Sequence, residues 1–255
     1  MTVQLLELAY SELGSGLPLV LLHGFPLHRE IWDDVKTTLA SEARVILPDL
    51  RGHGASPLGG ATSTMEEMAA DVAALLDGLG IERAALAGHS MGGYVALAFA
   101  RIFPLRVLAL SLVASHPLAD GAEQAAGRLA NAERIEREGL AFMVKEMSAK
   151  LSANPILHQR IGSIIGENSS RGAAAAQRGM AARQDERQTL AALDVPGLIV
   201  CGDLDPFVSL QRSQQAYQQM KMGKLAIMNG TAHMPMMERP QETARALMAM
   251  LAEIK

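Results

Sequence analysis

Apolar residues in this chain fall into short unbroken runs, and between the runs they recur with helical spacing. Residues 19–22 and 84–87 are runs of the first kind, and 44–47 and 107–113 come close to it, with Arg44 at one end and Ser111 inside. A run without polar alternation predicts a strand covered on both faces, as in a parallel sheet. Residues 198–201 and 224–228 repeat the pattern late in the chain. Residues 3–13, closed by Gly14-Ser15-Gly16, predict a further strand or hairpin arm. Residues 65–79 place Met65, Met68, Val72, Leu75, Leu76 and Leu79 near one helical face. Thr64 with Glu67 three residues on has the spacing of a capping box. Residues 94–101 continue as a helix after the strand at 84–87, and 241–254 predict a closing helix. Strands alternating with helices predict an α/β fold: a mostly parallel sheet covered by helices on both faces.

Residues 115–193 break this rhythm. They contain no convincing buried strand and are rich in Ala, Glu, Arg, Met and Gln, which favour helix. They predict a helical cap inserted into a core made of residues 1–114 and 194–255. The insertion follows a strand, and the carboxyl edge of such a sheet is where ligands bind.

The chemistry starts at Gly88-His89-Ser90-Met91-Gly92. A strand, Gly-x-Ser-x-Gly and then a helix is the form of a nucleophile elbow, in which small residues flank a serine on a tight turn. A serine hydroxyl needs an imidazole to take its proton and a carboxylate to orient that imidazole. Downstream of Ser90 the histidines are His116, His158 and His233. His116 and His158 fall in the insertion or at its edge, whereas His233 follows the last strand and so stands at the same sheet edge as Ser90. The preceding strand runs into Gly202-Asp203-Leu204-Asp205-Pro206, where two carboxylates compete. Asp203 suits a turn former that bonds to nearby backbone N–H groups. Asp205 lies deeper in the loop and is the favoured partner of His233. The oxyanion of a tetrahedral intermediate must meet preorganised donors. The candidates are the N–H of Met91 and that of Phe25 in His23-Gly24-Phe25-Pro26. His23 and His89 are read as structural, as are Asp49 and the loop at 51–56.

Composition narrows the partners. With a net charge of −4 and no basic block, nucleic acid is not expected. One cysteine, Cys201, excludes an internal disulfide framework and a multi-cysteine zinc site. No His-x-x-x-His spacing appears, so neither metal nor cofactor is expected. The chain has no apolar stretch of about 20 residues, so no membrane span is expected. The first four residues do not lead from a basic region into an apolar run, which fits a cytoplasmic protein without a signal peptide. Met143 and Met147 in the insertion, with His116 at its entry, are the candidate pocket wall.

Together these segments resemble the α/β-hydrolase superfamily. Residues 23–26 look like its oxyanion loop, 49–56 like its loop after the next strand, and 88–92 like its elbow. Residues 202–205 look like its Gly-x-x-Asp acid loop, which supports Asp205. His233 followed by Glu238-Arg239-Pro240 resembles its histidine segment, except that Ala232 stands where glycine is frequent. Residues 179–183 are similar to segments of small carboxylesterases and enol-lactonases. The resemblance implies a serine hydrolase acting on a small ester or lactone through an acyl-enzyme. A C–C bond hydrolase or a cofactor-free perhydrolase on the same triad is the alternative, as is a small-molecule receptor on the same scaffold. Serine at position 90 argues against the dehalogenase and epoxide hydrolase branches, which use aspartate there. A dinucleotide-binding fold fits poorly, because Gly14-Ser15-Gly16 precedes a strand instead of following one.

Overall fold

The computed structural model describes residues 5–254. Among these, seven strands form one sheet: β1 (Tyr10–Leu13), β2 (Leu17–Leu22), β3 (Ala43–Pro48), β4 (Ala84–His89), β5 (Val107–Val113), β6 (Gly197–Gly202) and β7 (Gly223–Met228). Their spatial order is β1-β3-β2-β4-β5-β6-β7. β1 runs antiparallel to β3, and every other neighbouring pair is parallel. β4 is central and buried along its whole length, as its small apolar residues require. Leu19, Val20, Leu21 and Leu22 of β2 are also fully buried, and each is worth roughly 1.5–3 kcal/mol of transfer free energy.

The first helices are α1 (Asp33–Leu39), α2 (Met65–Gly78) and α3 (Met91–Ile102). α2 begins with the capping box read from the sequence: the Thr64 hydroxyl accepts from Glu67 N–H, and the Glu67 carboxylate accepts from Thr64 N–H. Met65, Met68, Val72 and Leu76 face the core. The same face buries Asp71, which pairs with the buried Arg51.

Five helices fill the stretch between β5 and β6: α4 (Ala122–Glu138), α5 (Ala141–Leu151), α6 (His158–Gly166), α7 (Ser170–Ala181) and α8 (Arg187–Ala192). α4 packs on α7 and α5 on α6, whereas α8 packs back on α3. The chain closes with α9 (Leu210–Gln219), α10 (Pro235–Glu238) and α11 (Pro240–Leu251). α8 also meets α9, and α1 packs on α11.

Two expectations need correction. The strand expected over 3–13 is confined to Tyr10–Leu13. Its first two positions lie outside the described residues. In 5–9 the backbone turns to side chains, with Leu6 N–H donating to Asp71 and Ala9 N–H to Ser56 Oγ. The closing helix ends at Leu251 and not at Ile254. No helix among the described residues is long and apolar enough to cross a membrane.

Candidate active site

Ser90 sits between β4 and α3 with φ 49° and ψ −113°, a left-handed conformation that side chains rarely adopt. The turn that imposes it needs close backbone approach on either side. A Cβ on Gly88 would stand 2.2 Å from the Gly92 carbonyl oxygen, and one on Gly92 would stand 2.4 Å from that of Leu22. The turn is tied to β5: Ser90 N–H donates to Val113 O at 2.9 Å, and Ser115 Oγ donates to Ser90 O at 2.7 Å.

His233 follows β7 and Asp205 follows β6, so parallel pairing of these strands delivers both to the edge where Ser90 stands. His233 Nδ1 lies 2.7 Å from Asp205 Oδ2. That contact puts the proton on Nδ1 and leaves the Nε2 lone pair free to act as a base. The other Asp205 oxygen accepts the N–H groups of Phe207 (2.8 Å) and Val208 (3.1 Å). Burial pushes the Asp205 pKa up, but the His233 charge, its hydrogen bond and the two amides outweigh burial and hold the carboxyl below its usual range. The imidazole is flanked by His89 and Phe207, each with its ring 4.9 Å away.

Asp203, the competing carboxylate, takes a different part from the local turn former that its position suggests. Its Oδ1 accepts Gly230 N–H at 2.7 Å and Thr231 N–H at 3.3 Å, both in the loop that leads to His233. Three more groups hold that loop: Glu238, named above only as part of the histidine segment, His89, read above as structural, and Leu151, which the sequence does not single out. Glu238 accepts the N–H groups of Ala232 and Met234, on either side of His233. His89 Nε2–H donates to the His233 carbonyl at 2.8 Å. Leu151, at the end of α5, accepts His233 N–H at 3.0 Å. Ala232 does not have a positive φ, so the position needs no glycine.

The N–H groups of Phe25 and Met91 have no hydrogen-bond partner among the described residues. Met91 N–H is the first of α3, where the helix leaves a donor and a positive partial charge. His23 fixes the Phe25 loop, with Nδ1–H donating to Gly24 O and Nε2 accepting Leu50 N–H, each at 2.9 Å. Burial drives the pKa of His23 well down and those of His53 and His89 to about 4 and about 3, so all three are neutral spacers at pH 7.

Ser90, His233 and Phe25 open onto one cavity of about 840 Å³. His116, Met143 and Met147 all line it, the two methionines from α5. His158 is engaged elsewhere, with its Nε2 on Ser152 O.

Comparison with known proteins agrees with this fold. A sequence model of the alpha/beta hydrolase family matches residues 19–246. An esterase from Thermogutta terrifontis, solved with malate bound, superimposes with a TM-score of 0.95 at 36% identity, over 98% of this chain and 94% of that one. The dihydrolipoyllysine-residue acetyltransferase component of the acetoin cleaving system of Pseudomonas putida is 32% identical over 96% of this chain, which spans 66% of that protein's length. 3-Oxoadipate enol-lactonase 1 of Acinetobacter baylyi is 29% identical over 83% of this chain and 80% of that protein.

Proposed function

The chain belongs to the alpha/beta hydrolase family, and from that premise we propose that it is a serine hydrolase that cleaves a small carboxylic ester or lactone through an acyl-enzyme. One observation carries the reading. A serine on a left-handed turn shares a cavity with an imidazole whose far nitrogen is bonded to a buried carboxylate. The similarity to an esterase and to an enol-lactonase supports the choice of bond.

In the proposed mechanism Ser90 Oγ attacks the ester carbonyl carbon while His233 Nε2 takes the hydroxyl proton. The carbonyl oxygen becomes an oxyanion that accepts from the N–H groups of Phe25 and Met91. Collapse breaks the carbon–alkoxy bond, and the proton on His233 passes to the leaving alcohol. Water then attacks the acyl carbon, giving its proton to His233. Collapse of that second intermediate returns the proton to Ser90 and frees the acid. Asp205 stabilises the imidazolium in both halves and stays ionised, which its lowered pKa favours. Removing one oxyanion donor from such a site costs roughly 10²–10³ in kcat.

Turnover of short p-nitrophenyl esters tests the assignment. The wild-type chain should hydrolyse them, and Ser90→Ala should reduce the rate to background. Equal rates for the two proteins would remove Ser90 from the mechanism.

A further inference from the structure

One end of the cavity carries more positive charge than its carboxylates balance. Arg128 and Arg212 line the cavity there beside Tyr94 and His116. Arg183 lies behind them with its guanidinium carbon 4.1 Å over the Tyr94 ring. The fully buried Asp120 carboxylate meets both Arg128 and Arg183, so one negative charge faces two positive ones. Arg212 adds a third. It stands in the first turn of α9, half-buried, with its backbone N–H on Ser209. Among the described residues its guanidinium has no hydrogen bond and no carboxylate partner. The other charged residues of the cavity wall, Glu123, Glu146 and Lys150, are exposed, and Glu146 pairs with Arg134. Water screens those groups, but it screens the inner end less.

His116 senses this excess. Burial is the main cause that brings its pKa to about 3, and Arg183 and Arg212 come next, ahead of the opposing pull of Asp120. The imidazole is therefore neutral. Its Nδ1 accepts Leu118 N–H, so the proton sits on Nε2, which faces the Tyr94 hydroxyl at 3.4 Å. A hydroxyl that accepts from His116 directs its own proton elsewhere. This end of the cavity thus presents donors and positive charge, and among the described residues no carboxylate pairs with Arg212.

We propose that this end binds a carboxylate carried by the substrate, with Arg212 as the residue that selects it. The preferred substrates are then half-esters of dicarboxylic acids, or lactones bearing a carboxylate, attacked at the ester carbonyl by Ser90. The inference rests on the hydrolase reading and goes beyond it by naming a substrate class. A guanidinium binds such a group with charge-assisted hydrogen bonds, which a neutral ester of the same length cannot match.

The test measures kcat/KM in a pH-stat for the monomethyl and dimethyl esters of succinate, glutarate and adipate. The wild-type chain should favour a monoester over its diester. Arg212→Gln should lower the monoester-to-diester ratio by about 10–100-fold, the scale of a lost hydrogen bond to a charged group. Arg212→Lys should restore part of it, and Arg245→Gln at an exposed position of α11 should leave it unmoved. An unchanged ratio in Arg212→Gln, or an equal loss on both ester types, would overturn this inference and leave the hydrolase reading standing. No turnover of any ester by the wild-type chain would overturn both.

Discussion

Lowering the pH from about 7.5 to about 5 should remove much of this protein's stability through histidines that its interior keeps neutral. His53, His89 and His116 have folded pKa values of about 4, 3 and 3, against an unfolded value near 6.5. Between those limits the unfolded chain binds protons that the folded chain refuses. The stability these residues allow is therefore complete above pH ~6.5 and falls as the pH drops towards their folded values. At pH ~5 each costs about 2 kcal/mol, and the three together about 6 kcal/mol. His23, also held neutral by burial, acts in the same direction. A loss of that size is a large part of the ~5–15 kcal/mol that holds a typical domain folded. Urea unfolding at half-unit steps of pH measures it. His116→Asn isolates one contribution, because the new amide oxygen can still accept Leu118 N–H but does not titrate. The variant should show a pH slope shallower by about 1.2 kcal/mol per unit between pH ~6 and ~5. A stability flat across this range would refute the reasoning, as would identical slopes for the two proteins.

Asp205→Asn should lower kcat by roughly 10³–10⁴, the scale seen when a triad carboxylate is neutralised. Asp203→Asn, which only loosens the loop at Gly230 and Thr231, should cost much less, and steady-state kinetics that reversed the ranking would transfer the orienting role to Asp203. Met143→Ala and Met147→Ala should alter acyl-length preference by about 10–200-fold at most, because one lost apolar contact is worth about 1–3 kcal/mol. A profile over ester chain lengths checks this, and equal scaling of every substrate would make α5 a stability element and not a source of specificity.

Much of the fold is legible because its core strands are buried on both faces. That condition forces the apolar runs at 19–22, 107–113 and 198–201, broken only by Ser111. Thr64 and Glu67 are equally plain, since a capping box is a local contact. α9 is not legible, because only Ser213 and Ala216 of its ten residues are buried and no apolar stripe results. At the site, spacing singles out Ser90, Asp205 and His233 as candidates. It does not show the contacts that Glu238, His89 and Leu151 make with the His233 loop, which depend on where the chain returns. Arg212 is hidden for the same reason. In the sequence it is one arginine in a polar helix, and only folding shows that it lacks a carboxylate partner.

Covalent capture of the nucleophile tests the central claim most directly. The protein would be treated with a fluorophosphonate, digested, and the modified peptide located by mass spectrometry. The account expects one phosphonyl group on Ser90, loss of ester turnover in step with labelling, and no labelling in Ser90→Ala. Labelling at another residue, or full turnover by a protein fully modified at Ser90, would contradict it.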